Sequence, residues 1–172
     1  MKRLALVIGV VIVTLAAAPV SAGSSGVRAA AAEPGAEVNA DLEGKPIPTS
    51  QIPKYRCNDF DFPAIHCFRS EDGLQAAVRT ELSIATASGV DYVQVFDGAN
   101  FVGASMVMSQ DYNALWTIGW NDRIGSFKGR NSQSGTFYTD WFGTGSAYGF
   151  CCNQWVSSLG GYDNTFSSVY NN

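Results

Sequence analysis

The stretch GWNDRIGSFK (residues 119–128) returns in altered form as GYDNTFSSVY (residues 161–170). Each copy runs Asn or Asp, Asn or Asp, two free positions, a small residue, then Ser. Turn chemistry explains one copy, because Asn, Asp and Ser bond their own backbone in tight loops. Two copies in matching places point to a duplicated unit, with a shared use for those oxygens as the open question.

The sequence around them repeats as well. The first half runs YVQVFDGANFVGASMVM before its loop, and the second runs GTFYTDWFGTGSAYGF before its own. Each half reads as a strand, a hairpin with acid and glycine, a second strand, a longer connection and the Asn/Asp…Ser element. DYVQVFD alternates, setting Tyr92 and Gln94 against Val93 and Val95. GASMVMS alternates likewise, and IGSFKG and GTFYTD are short runs bounded by Gly, Asn or Asp. Strands divided by such turns, with no amphipathic helix between them, predict an antiparallel sandwich. Four strands per repeat and two repeats give a double Greek key. Trp116, Trp120, Trp141 and Trp155 all fall in this half, supplying the core of a compact domain over 89–172.

Upstream the grammar differs. The chain opens with MKRLALVIGVVIVTLAAAPVSA, two basic residues, an apolar run and a small-residue end, the layout of a secretory signal peptide over 1–22. Residues 23–50 are rich in Ala, Gly, Pro and Ser and hold no aromatic residue, so a flexible leader or pro-segment is expected. Residues 51–88 read as a loop plus one helix. Ser70 with Glu71 and Asp72 starts the helix, and Leu74, Ala77, Val78 and Leu82 give its spacing to about Ser83.

Charge and cysteine usage narrow the function. The chain has 11 Lys and Arg against 15 Asp and Glu; losing Lys2 and Arg3 with the signal leaves 9 against 15, a net charge of −6. That balance argues against nucleic acid and anionic membrane as partners, since both need clustered cations. Four cysteines in an exported chain favour disulfides. Cys57 and Cys67 are expected to close a small loop, which stabilises by about 3 kcal/mol on loop-entropy grounds. Cys151 and Cys152 are adjacent after SAYGF, and strand alternation turns one of them inward. A vicinal bridge, a pair of free thiols and cross-links to Cys57 and Cys67 all fit the sequence.

The motifs resemble the βγ-crystallin family, in its microbial branch. The family's hairpin is an aromatic, four residues, an aromatic, one residue and Gly; FDGANFVG places Phe96, Phe101 and Gly103 on it. In the second hairpin, FYTDWFGTG, Phe142 is followed by Gly143 and Thr144, so the glycine position reads as shifted or replaced. The second signature, Asn/Asp-Asn/Asp-x-x-Ser/Thr-Ser, matches DNTFSS (163–168) fully and NDRIGS (121–126) except at Gly125. The resemblance covers residues 90–172.

It implies an all-β, βγ-crystallin-like sandwich and, in members that bind calcium, two sites built from both loops. Carried over, Asn121, Asp122 and the Arg123 carbonyl form one half-set, and Asp163, Asn164 and the Thr165 carbonyl the other. Ser167 supplies one fifth-position hydroxyl, Gly125 supplies none, and Asp97 and Asp140 in the hairpins are secondary ligands. One intact and one degraded site follow, with affinity on the micromolar-to-millimolar scale of extracellular modules. The same side chains also suit plain loop hydrogen bonding.

Catalysis finds no support. His66 is the only histidine, no G-x-S-x-G turn is present, and GTGSAYG lacks the Lys and flanking elements of a phosphate loop. The reading is a secreted, non-enzymatic, calcium-stabilised module. Alternatives on the same fold are a protease inhibitor or toxin-like protein, with loops 131–135 and 153–160 as contact candidates and an extracellular protease as partner, or a cell-surface structural module.

Overall fold

The β5 strand (Tyr92–Phe96) alternates as the sequence predicts, yet all five residues are buried. Val93 and Val95 face the main core, while Tyr92 joins Leu74, Val78 and Val107 in a second cluster. The second cluster exists because helix α1 (Glu71–Ile84) lies over that face of the sheet, with the Gln94 amide donating to Glu71 at 3.0 Å. The Ser70 hydroxyl accepts the Gly73 N–H at 3.1 Å and caps the helix start where the sequence placed it. These features come from a computed structural model that describes residues 37–84 and 91–172. The expected signal peptide, the leader up to residue 36 and residues 85–90 lie outside the described residues.

The remaining strands are β1 (Asn39–Leu42), β2 (Lys45–Ile47), β3 (Arg56–Asn58), β4 (Ala64–Phe68), β6 (Ser105–Met108), β7 (Ser126–Arg130), β8 (Gly135–Tyr138), β9 (Ala147–Phe150), β10 (Trp155–Val156) and β11 (Ser168–Asn171). One sheet runs β10-β7-β5-β6-β3-β4-β1-β2 and the other β11-β8-β9. Two repeats are visible, and each sends one strand to the other. β10 belongs to the second repeat but pairs with β7 of the first, while Tyr112 of the first bridges Val169 in β11. This exchange is the double Greek key. Trp120, Phe127, Phe137 and Phe166 are fully buried between the sheets, with Phe137 stacked on Phe166 at 5.0 Å. Burying each such ring contributes about 2 kcal/mol, and the stacking adds up to about 1 kcal/mol per pair.

The N-terminal region departs from expectation. Residues 39–50, expected within a flexible leader, form β1, β2 and the start of a 3-10 turn (Thr49–Lys54). The segment 57–67, expected as a loop, is the β3–β4 pair, and Cys57 sits directly opposite Cys67 in register, disulfide-bonded to it. The segment 51–84 also joins the duplicated half. β3 runs parallel beside β6, with Arg56 opposite Ser105, so these strands extend the first Greek-key sheet. The physical cause is edge pairing: β6 has an open side, and covering it satisfies a row of backbone groups that local propensity does not report.

Asp59, fully buried, fastens the join. Its carboxylate accepts from the Ser109 N–H at 2.8 Å, the Ser109 hydroxyl at 2.9 Å and the Tyr112 hydroxyl at 2.8 Å. Burial outweighs these bonds and pushes its pKa up to about 6. Cys151 and Cys152 are bonded to each other, and both are exposed, contrary to the expectation that one turns inward. The strand ends at Phe150, and Cys152 takes a left-handed backbone (φ 58°), so strand alternation no longer applies.

Candidate metal site between the two paired loops

Both Asn/Asp…Ser elements form the same turn. The second position is left-handed in each, Asp122 at φ 53° and Asn164 at φ 55°. Asn and Asp tolerate this region better than other side chains, which accounts for the repeated residue type. The loops then pair. Asp122 N–H donates to the Phe166 carbonyl at 2.9 Å, and Asn164 N–H donates to the Ile124 carbonyl at 3.0 Å. The two repeats are thereby locked across a local two-fold.

The sixth-position serines have a structural task. Ser126 donates its hydroxyl to the Gly98 carbonyl at 2.6 Å and accepts the Phe101 N–H at 3.0 Å. Ser168 does the same to its own hairpin, donating to the Asp140 carbonyl at 2.7 Å and accepting the Gly143 N–H at 3.1 Å. Matching these bonds aligns the hairpins residue by residue. Gly103 (φ 89°) corresponds to Gly145 (φ 80°), so the hairpin glycine is neither shifted nor replaced. What changes is the second aromatic: Gly143 stands where the first repeat has Phe101. A side chain there would meet the Tyr170 ring at 2.9 Å.

The second hairpin hangs over a cleft of about 560 Å³ lined by Asn121, Asp122, Thr139, Asp140, Trp141, Phe142, Thr144 and Ser167. Asn121 and Asp122 come from the first loop and Ser167 from the second, so the cleft gathers both repeats. Local bonds already use several of its oxygens. Asn121 donates to Asp122 at 2.7 Å and accepts the Trp141 indole N–H at 3.2 Å, while the Thr144 hydroxyl donates to the Trp141 carbonyl. Ser167 differs: the residue is largely buried, and its side chain lines the cleft without entering any of these local bonds.

The related constellation under the first hairpin is built otherwise. A Cβ on Gly125 would lie 3.1 Å from Asp163 Oδ1 and 3.1 Å from the Asp97 carbonyl, so Asp97, Gly125 and Asp163 do converge. Gly125 supplies no hydroxyl there, and the Arg123 guanidinium donates to Asp97 at 3.0 Å. Of the residues chosen from sequence, Asn121, Asp122, Asp140 and Ser167 thus share one cleft, and Asp97, Arg123 and Asp163 cluster elsewhere. The Thr165 hydroxyl donates to the Tyr162 carbonyl at 2.8 Å. Trp141, Phe142 and the Arg123 side chain were missed by sequence reasoning, which treats a hairpin tip as generic turn.

Among the described residues no three His, Cys, Asp or Glu side chains gather to hold a metal. A cation in the cleft would therefore rest on two carboxylates, an amide, a hydroxyl and backbone carbonyls. That is a hard-oxygen set suited to calcium and unsuited to zinc. His66 sits apart, with Nδ1 2.5 Å from Asp41 and Nε2 3.2 Å from Asp61, tying β1 to β4. Among the described residues no helix is long and apolar enough to cross a membrane.

No protein-family model matches the sequence, and no curated protein matches it. Solved structures do. A βγ-crystallin from Ciona intestinalis is 19% identical with TM-score 0.43, covering 47% of this chain and 99% of its own. A βγ-crystallin from an archaeon is 24% identical with TM-score 0.44, covering 49% and 100%. A βγ-crystallin domain from Flavobacterium johnsoniae is 25% identical with TM-score 0.42, covering 46% and 92%. Each spans about half of this chain.

Proposed function

We propose that residues 92–171 are a βγ-crystallin domain and that this chain is an extracellular, non-enzymatic module that binds one calcium ion in the cleft under the second hairpin. The observation that carries this reading is the meeting of Ser167, from the second loop, with Asn121 and Asp122, from the first, and with Asp140 in one cleft. A bound ion would be coordinated by the Ser167 hydroxyl and by the two carboxylates. The Cys57–Cys67 bond fits an oxidising compartment.

Under this reading the ion's effect is on stability. Binding to the folded form alone adds RT ln(1 + [Ca]/Kd), about 2.7 kcal/mol at a hundredfold excess over Kd. For the chain from residue 23 to 172, about 150 residues, that corresponds to roughly 8 °C in Tm. Thermal unfolding of residues 23–172 in EDTA and in millimolar calcium tests it. A calcium-dependent rise that Ser167→Arg abolishes supports the site; equal Tm values in both buffers sink it.

A further inference from the structure

The two repeats are controls for one another, and they differ most at the hairpin tip. In the first, the tip is Ala99 and Asn100, with Asn100 at φ 58°, a conformation asparagine accepts readily. In the second it is Trp141 and Phe142, with Phe142 at φ 56°. A bulky residue is rare in that region; the first hairpin carries its own one position later, Phe101 at φ 62°, so the repeats differ in which ring sits at the tip. The two rings are also 51% and 69% exposed. The fold does not call for them, since the Ser168 clasp on this hairpin matches the Ser126 clasp on the first, which manages with Ala and Asn.

Both exposed rings stand on the hairpin that overhangs the Ser167 cleft, while the first hairpin overhangs Gly125 and Arg123. The indole of Trp141 is also held in place by Asn121, whose amide donates in turn to Asp122. One face of the molecule therefore presents an oriented ring, a second ring next to it in sequence and, lining the same cleft, two carboxylates, an amide and hydroxyls.

We infer that this cleft binds an uncharged oligosaccharide. A sugar ring has one apolar C–H face that packs against an exposed aromatic, and hydroxyls that bond to carboxylates and amides; small-ligand sites combine these two surfaces. The inference rests on the calcium reading, because a resident ion leaves coordination positions that neutral hydroxyl oxygens suit. The net acidic chain disfavours an anionic lipid or anionic glycan.

The test uses residues 23–172 in millimolar calcium, titrated with neutral hexasaccharides of β-1,4-glucose, β-1,4-N-acetylglucosamine, β-1,3-glucose and mannose. Vesicles of phosphatidylcholine with and without phosphatidylserine run alongside. Binding of a hexasaccharide is expected, weakened about tenfold in Phe142→Asn, the equivalent of one lost stacking contact. That variant swaps one tip residue for its counterpart in the other repeat, and the calcium-linked Tm rise is expected to persist in it. Trp141→Ala is expected to weaken binding as much or more. A Tm rise with no hexasaccharide bound, or with vesicles bound instead, overturns the glycan site and leaves the metal reading standing. No Tm rise in the unmodified chain overturns the metal reading, and the glycan site as stated falls with it.

Discussion

Arg123 is joined to Asp97 by a 3.0 Å hydrogen bond from its guanidinium, and the same nitrogen reaches the Pro53 carbonyl at 3.3 Å. A positive group of the chain itself thus sits where the symmetric cleft would face a cation. It also ties the 3-10 turn ahead of β3 to the first Greek-key repeat. The pair is partly exposed, so its direct contribution to stability is at most about 1 kcal/mol.

Calcium stoichiometry follows from this pair. Gly125→Ser alone is expected to add no second ion, because Arg123 remains, and to cost some stability. The new Cβ would lie 3.0 Å from the Gly98 carbonyl carbon and 3.1 Å from two oxygens. Combining Gly125→Ser with Arg123→Ala clears the guanidinium and adds the missing hydroxyl. Isothermal titration of the double variant should show two ions per chain against one in the unmodified protein. A count of one in both would mean that the first constellation lacks more than a hydroxyl.

The second prediction concerns pH. Asp59 ionises at about 6 in the folded protein against an ordinary 3.8, because burial outweighs its hydrogen bonds. Between those values the folded state holds more protons than the unfolded one, so Asp59 contributes most to stability below pH 3.8. Its contribution falls as pH rises toward 6. The total is about 3 kcal/mol. Urea unfolding of the unmodified chain and of Asp59→Asn, from pH 4 to 7, isolates it: the stability difference should move toward the variant as pH rises. A difference that stays flat across this range would place the Asp59 pKa near its ordinary value.

Truncation provides the third. A fragment of residues 90–172 loses Ile52, Cys57 and Ile65 from the core and Asp59 from Tyr112, and it opens the edge of β6. Such an edge is a template for pairing with another chain. The fragment is expected to associate with rising concentration and to melt well below residues 23–172, as sedimentation and circular dichroism would report. A monomeric fragment with unchanged Tm would make the β3–β6 join dispensable.

The duplicated half was legible because its signals are local. Alternation at Tyr92–Phe96 and the paired Asn/Asp…Ser turns each answer to a backbone requirement nearby. So was the missing hydroxyl at Gly125, a matter of residue type alone. The N-terminal strands were not legible, since NADL and KPI carry little strand propensity and form by adding to the β4 edge, with Asp41 meeting His66 across it. In the second hairpin the eye follows Phe142, the bulkier residue. The backbone places Gly143 at the aromatic position instead, which only the Ser168 clasp reveals.

The crossing of β10 and of Tyr112 between repeats has a consequence for the duplication itself. A chain holding a single repeat would possess neither sheet entire: its third strand would have no host, and its neighbour would lack a flank. Two separate copies could close only by trading those strands, an association that fails on dilution. Joining the copies through the residues between β7 and β8 makes the trade internal, at an effective concentration set by that short connection. Freed from the need for identical halves, one repeat keeps Ser167 and takes Trp141 and Phe142, while the other takes Gly125 and Arg123.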